Sequence, residues 1–126
     1  MNDFYYRKLK VYQLSMQLVA AIYKLTEKYP SSEKLALTNQ IQRAAVSVPS
    51  NIAEGMGRFS IRERIHHLDF SSGSLMEVMC QTEIAELLGY ITHEDLIVIE
   101  NLVKESEKTL IGLRKSLESK DNNLNV

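Results

Sequence analysis

The sequence predicts an all-α fold, a left-handed up-down-up-down four-helix bundle. Three observations lead there. Apolar residues recur every three or four positions through four long stretches, which is the period of an amphipathic helix. Short breaks carrying Pro, Ser or Gly separate those stretches, and short connections favour antiparallel neighbours. No segment alternates like a strand, and no internal repeat or domain boundary interrupts the chain. A length of 126 residues suits one domain. That domain is drawn as residues 1–120, with the polar 121–126 expected to be a disordered tail.

Phe4, Tyr5 and Tyr6 form a lead-in able to pack across a bundle end. The first helix is expected over about Arg7 to Tyr29, with Val11, Leu14, Leu18, Ile22 and Leu25 as its core stripe. Tyr12, Met16, Val19 and Tyr23 form a second apolar stripe about a quarter-turn away. Two readings stay open for it: an interface between subunits, or a broad core face topped by amphipathic tyrosines. Pro30, Ser31 and Ser32 stop this helix.

The second helix is expected over about Lys34 to Met56. Leu37, Ile41, Ala44, Val48, Ile52 and Met56 make its apolar face. Gln40, Arg43, Ser47, Asn51, Glu54 and Arg58 make a polar stripe beside it. Pro49 lacks an N–H, which costs about 3 kcal/mol or more inside a helix. A distortion is therefore expected there, with Ser47, Ser50 or Asn51 bonding the backbone or admitting a neighbouring helix. Gly55 and Gly57 are candidates for a left-handed cap.

Ser60 followed by Glu63 reads as a capping box that opens the third helix, about Ile61 to Leu88. Its expected stripe is Ile65, Leu68, Ser72, Leu75, Met79 and Thr82. The run Ser71-Ser72-Gly73-Ser74 places a glycine mid-helix at a cost of about 1 kcal/mol. Close approach of Gly73 to the second helix, at Ala44, Ala45 and Ser47, is the expected compensation. Gly89 closes the helix. Thr92 with Asp95 makes the next capping box, and Ile91 with Leu96 a hydrophobic staple. Leu96, Ile99, Val103, Ser106, Leu110, Leu113 and Leu117 then alternate at three and four as a coiled-coil seam.

Composition excludes several functions. A formal net charge of −1 and a pI near 6.3 argue against a protein that coats nucleic acid along its whole surface. The single Cys80 permits no internal disulfide and suits a reducing cytoplasm. It reads as a small buried hydrophobe. Neither a signal peptide nor a membrane span is expected, so the expected location is cytoplasmic. Glu63-x-x-His66 has the spacing of a di-iron ligand pair, but such sites need a second copy and two further glutamates. His66 and His67 read as a wet surface. No metal, no cofactor and no catalytic residue is assigned, and enzyme activity is not expected. Glu54 and Glu77 are the carboxylates expected to point inward, with Arg43 or Arg58 as the partner of Glu54.

The run Gln40-x-x-Arg43-Ala44-Ala45-x-Ser47-Val48-Pro49-x-Asn51-Ile52-Ala53-Glu54-Gly55-x-Gly57-Arg58 resembles the signature of the bacterial S23, or 23S rRNA intervening-sequence, proteins. Phe4-x-x-x-x-Leu9-Lys10-Val11-Tyr12 and Gly73-Ser74-Leu75-x-Glu77 extend the likeness over nearly the whole chain. The resemblance implies a helical bundle assembling into a homo-oligomeric ring, commonly a pentamer. The chain is also similar to the accessory protein of diversity-generating retroelements, which binds a reverse transcriptase and nucleic acid. RNA or DNA and another protein are thus the partners the resemblance implies.

Charge is unevenly spread. Residues 1–67 carry ten Lys or Arg against five acids, and 68–103 carry seven acids and no Lys or Arg. An up-down bundle brings Arg7, Lys8, Lys10, Arg58, Arg62 and Arg64 to one end with Arg114, Lys115 and Lys120. Glu83, Glu86, Glu94 and Asp95 gather at the other. Such a basic end would attract phosphate backbones without reading sequence. The competing readings are ordinary solvated cations and a protein-protein scaffold without nucleic acid.

Overall fold

The computed structural model describes residues 3–124. Its helices are α1 (Lys10–Thr26), α2 (Leu37–Met56), α3 (Ile61–Leu87) and α4 (His93–Leu124), and no strand is present among the described residues. They form an antiparallel four-helix bundle. Each helix packs on two neighbours in the cyclic order α1, α2, α3, α4.

On α1 and α4 most of the expected stripe is buried, but Leu14 and Leu113 are only half-buried and Ser15 is buried on α1 beside Leu14. Val11, Leu18, Ile22 and Leu25 are buried on α1, and Leu96, Ile99, Val103, Ser106, Leu110 and Leu117 on α4. They meet Ile41, Ala45, Val48 and Ile52 of α2 in one core. The α3 stripe is rotated from its expected position. Leu68, Ser71, Leu75, Val78, Thr82 and Ala85 are the buried set, while Ile65, Ser72 and Met79 are only half-buried. Two neighbours cause this. Ser71 turns toward α2 and donates to the Val48 carbonyl at 2.9 Å, and Ser72 turns toward α4 and donates to Glu107 at 2.7 Å.

Helix ends differ most from expectation where 3-10 turns replace α-helix. Tyr5–Lys8 forms such a turn, so α1 starts at Lys10 rather than Arg7. Ser31–Glu33 forms another, and Glu33 accepts from the Leu37 N–H at 3.1 Å, which starts α2 three residues late. Ser60 accepts from the Glu63 N–H at 3.0 Å, as a capping serine does. At α4 the box is reciprocal: Asp95 N–H to Thr92 at 3.1 Å and Thr92 N–H to Asp95 at 3.0 Å. Gly89 has φ +78 and ends α3. The Tyr90 N–H reaches the Ala85 carbonyl and the Gly89 N–H the Glu86 carbonyl, both at 2.9 Å, a Schellman closure. α4 runs on to Leu124, past the boundary drawn at 120, and residues 125–126 lie outside the described residues.

Both glycine expectations for α2 and α3 are overturned. Gly55 and Gly57 adopt no left-handed conformation. Gly55 is instead the point of close approach: a Cβ there would lie 2.7 Å from the His67 Cβ and 3.4 Å from the Arg64 carbonyl oxygen. Gly73 is exposed, and a Cβ there would meet nothing within 4 Å. It points outward, because its neighbours Ser71 and Ser74 take the α2-facing positions. Cys80 is likewise exposed rather than buried.

Candidate functional site

α2 and α3 are joined by a polar seam rather than an apolar one. Ser74 donates to Ser47 Oγ at 2.9 Å, and Asn51 Nδ2 donates to both Ser47 Oγ and the Ser47 carbonyl at 3.0 Å. Asn51 Oδ1 therefore faces His67 Nδ1 at 3.2 Å as the acceptor, so Nδ1 carries the proton. His67 belongs to this seam and not to a wet surface; His66 remains exposed and packs edge-on against Phe70 at 4.5 Å. Pro49 is buried in the same stretch, and α2 continues through it to Met56. The Ser71 bond to the carbonyl before Pro49 ties that turn to α3.

The carboxylates expected inside are outside. Glu54 is exposed and pairs at 2.8 Å with Arg58, which lies in the turn just past the end of α2. Helical spacing alone brings these two together on the surface, so neither needs burial. Glu77 and Arg43 are exposed and line, with Gln40 and Gln81, a polar groove of about 290 Å³ between α2 and α3. Among the described residues no three His, Cys, Asp or Glu side chains converge as metal ligands. Among the described residues no helix is long and apolar enough to cross a membrane.

The second α1 stripe borders a different groove. Tyr12, Met16 and Val19 line about 320 Å³ with Val46, Pro49, Ser50 and Ala53 of α2. Tyr23 lies outside that lining but is exposed on the same helix, as Met16 is. Residues 11–23 and 44–53 contain no charged side chain. An exposed two-helix surface without charge has the composition of an interface centre.

The basic residues do share one end of the bundle. Phe4, Tyr5 and Tyr6 enclose a pocket of about 280 Å³ with Ala53, Met56 and Gly57, which sets the chain start beside the end of α2. Arg62 at the start of α3 lies 3.8 Å from Asp121 near the end of α4. Several cations there are neutralised locally. Arg7 bonds Asp3 at 2.8 Å, which holds its guanidinium above the ordinary value. Arg114 bonds Asp69 at 2.7 Å, with the same effect, and also Glu118. Arg64 donates to the Arg58 carbonyl at 2.7 Å, which closes the turn between α2 and α3. Lys8, Lys10, Lys115 and Lys120 are exposed and make no ion pair among the described residues.

The residue missed at this end is Phe59. It is fully exposed, at 101% of its reference area, between Arg58 and Arg62. The signal is present in the sequence: the position four residues into α3, where a staple partner belongs, is Arg64.

The sequence profile of the 23S rRNA-intervening sequence proteins matches residues 7–112. No curated protein matches the chain. Among solved structures, one protein of unknown function from the S23 ribosomal protein family of Bacteroides thetaiotaomicron is similar at a TM-score of 0.76 and 26% identity. The match covers 83% of this chain and 98% of that one. With the profile spanning most of the bundle, including all of α2, this chain belongs to the 23S rRNA-intervening sequence protein family.

Proposed function

We propose that this chain is a non-catalytic RNA-associating accessory protein that holds phosphate backbones at its basic end. The observation that carries the reading is the sorting of charge along the bundle axis. Lys8, Lys10, Lys115 and Lys120 are unpaired among the described residues at one end, and the Arg62 side chain there is 80% exposed. At the other end lie Glu86, Glu94 and Asp95, together with Lys24 and with Lys28, which pairs with Asp95 at 2.8 Å. Cations without partners gain most from releasing phosphate counterions. The family name refers to an intervening sequence of 23S rRNA, so RNA is the nucleic acid to test first. Binding of RNA measured across salt concentrations tests the reading. Lys8→Glu/Arg62→Glu should weaken binding and lower the salt slope by about 1 for each phosphate no longer held. No binding at low salt overturns it.

The uncharged α1–α2 face favours a second reading, self-assembly into a homo-oligomeric ring of the pentameric kind the family resemblance implies, with or without RNA. Exposed Met16, Tyr23 and Val46 lie on it beside half-buried Tyr12 and Val19. Light scattering should give a multiple of 14.4 kDa, and Met16→Glu should lower it. A wild-type particle of 14.4 kDa sinks this reading.

A further inference from the structure

We infer that the basic end takes unpaired nucleotides, whose bases stack on Phe59 and Tyr5. This rests on the proposed RNA association and names the form of RNA it accepts. The starting observation is an unexplained cost. Phe59 exposes its whole ring and Tyr5 exposes 58% of its area, although burial of an aromatic ring stabilises a fold more than that of most side chains. Phe4 and Tyr6 stack on each other at 5.9 Å, and Arg7 lies over the Phe4 ring at 4.9 Å. Phe59 and Tyr5 have no aromatic partner among the described residues.

Their positions are held by the surrounding backbone. Phe59 sits in the short turn between α2 and α3, fixed on one side by the Arg64 bond to the Arg58 carbonyl and on the other by the Ser60 cap. Tyr5 opens a 3-10 turn and borders, with Phe4, Tyr6, Ala53 and Met56, the pocket at the end of α2. Both rings therefore stand on ordered backbone, and Arg62 and Lys8 flank them in sequence with exposed cationic heads. Exposed rings among cations are the elements of single-strand recognition: the cations follow the phosphates, and the rings take bases without reading them. A duplex keeps its bases stacked on each other and offers these rings nothing, so charge alone would not distinguish the two forms.

The test uses a short fluorescent oligoadenylate and an RNA duplex of equal length, both titrated with the full chain at several salt concentrations. Wild type should prefer the single strand, and Phe59→Ala should weaken single-strand binding about fivefold or more while leaving the duplex unchanged. The Phe59 ring is fully exposed, so the variant keeps its fold, which circular dichroism verifies. Lys8→Glu/Arg62→Glu should weaken both ligands. Salt-dependent binding that Phe59→Ala leaves intact overturns the stacking and spares the basic end. Absence of binding to either RNA overturns both. Binding to vesicles of anionic lipid, lost in Phe59→Ala, with no RNA binding, also overturns both and makes the exposed rings a membrane contact.

Discussion

At the α2–α3 seam, Gly55 lies so near α3 that a single added carbon would sit 2.7 Å from another, whereas Gly73 on the outer side of α3 faces open space. Both are helical glycines in the stretches that carry the family resemblance. The difference comes from the turn between α2 and α3. Four residues, 57–60, separate the two helices, so the last turn of α2 must lie against the first turns of α3. Only a residue without a side chain permits that approach at Gly55. Further along, the helices are linked by Ser71 to Val48 and Ser74 to Ser47, so serine hydroxyls fill the space and Gly73 is left outside. A mid-helix glycine marks close packing only when the register turns it inward.

The largest expected effect breaks the close approach. Gly55→Ala should destabilise the bundle by about 1–3 kcal/mol, because the obstructing atoms are a Cβ and a backbone carbonyl that cannot swing aside. Thermal melts read the difference. An unchanged or raised melting temperature would show that the seam yields and that the turn does not force the two helices together. Gly73→Ala should act in the opposite direction, stabilising by about 1 kcal/mol through helix propensity alone. A loss of stability there would mean that Gly73 meets another molecule, such as a second copy.

Much of this contrast is legible in the sequence. Leu68, Ser71, Leu75, Val78, Thr82 and Ala85 alternate at three and four, as the α4 seam does, and that alternation excludes residue 73. The expected stripe through Ser72 and Met79 alternates in the same way but is turned one residue on, because four small residues in a row carry no apolar contrast to fix the choice between Ser71 and Ser72. The same turn that places Gly55 also pairs Asn51 with His67, so the histidine's place follows once the α2–α3 connection is known to be tight. Caps at Ser60, Gly89 and Thr92 are readable because capping is local chemistry. The basic end is readable in position but not in availability. Asp3–Arg7 and Glu54–Arg58 are visible at four-residue spacing, yet Arg62–Asp121 and Arg114–Asp69 need the fold. Phe59 is easily passed over because an aromatic ring beside a helix start ordinarily packs, and only Arg64 at the staple position shows that this one lacks its partner.

The smallest expected effect separates the seam from the far turn by pH. No carboxylate takes part in the Ser74–Ser47–Asn51–His67 chain. The α3–α4 turn depends on one: Asp95 accepts from Lys28 Nζ at 2.8 Å and from the Thr92 N–H at 3.0 Å. The Lys28 bond first, and the Thr92 N–H next, hold Asp95 below the usual carboxylate range. A native pKa below the unfolded one means that the stabilisation is present above the unfolded Asp value, about pH 4, and is lost as pH falls through the native value. The pair is exposed, so its contribution is on the order of a few tenths of a kcal/mol. Melts at neutral and acid pH read it by difference: the deficit of Asp95→Asn relative to wild type should shrink in acid, while the deficit of Gly55→Ala should stay constant. If the Gly55→Ala deficit also changes with pH, His67, whose Cβ faces that position and whose ring bonds Asn51, takes part in the packing, and the division between a packed turn and a charge-held turn fails.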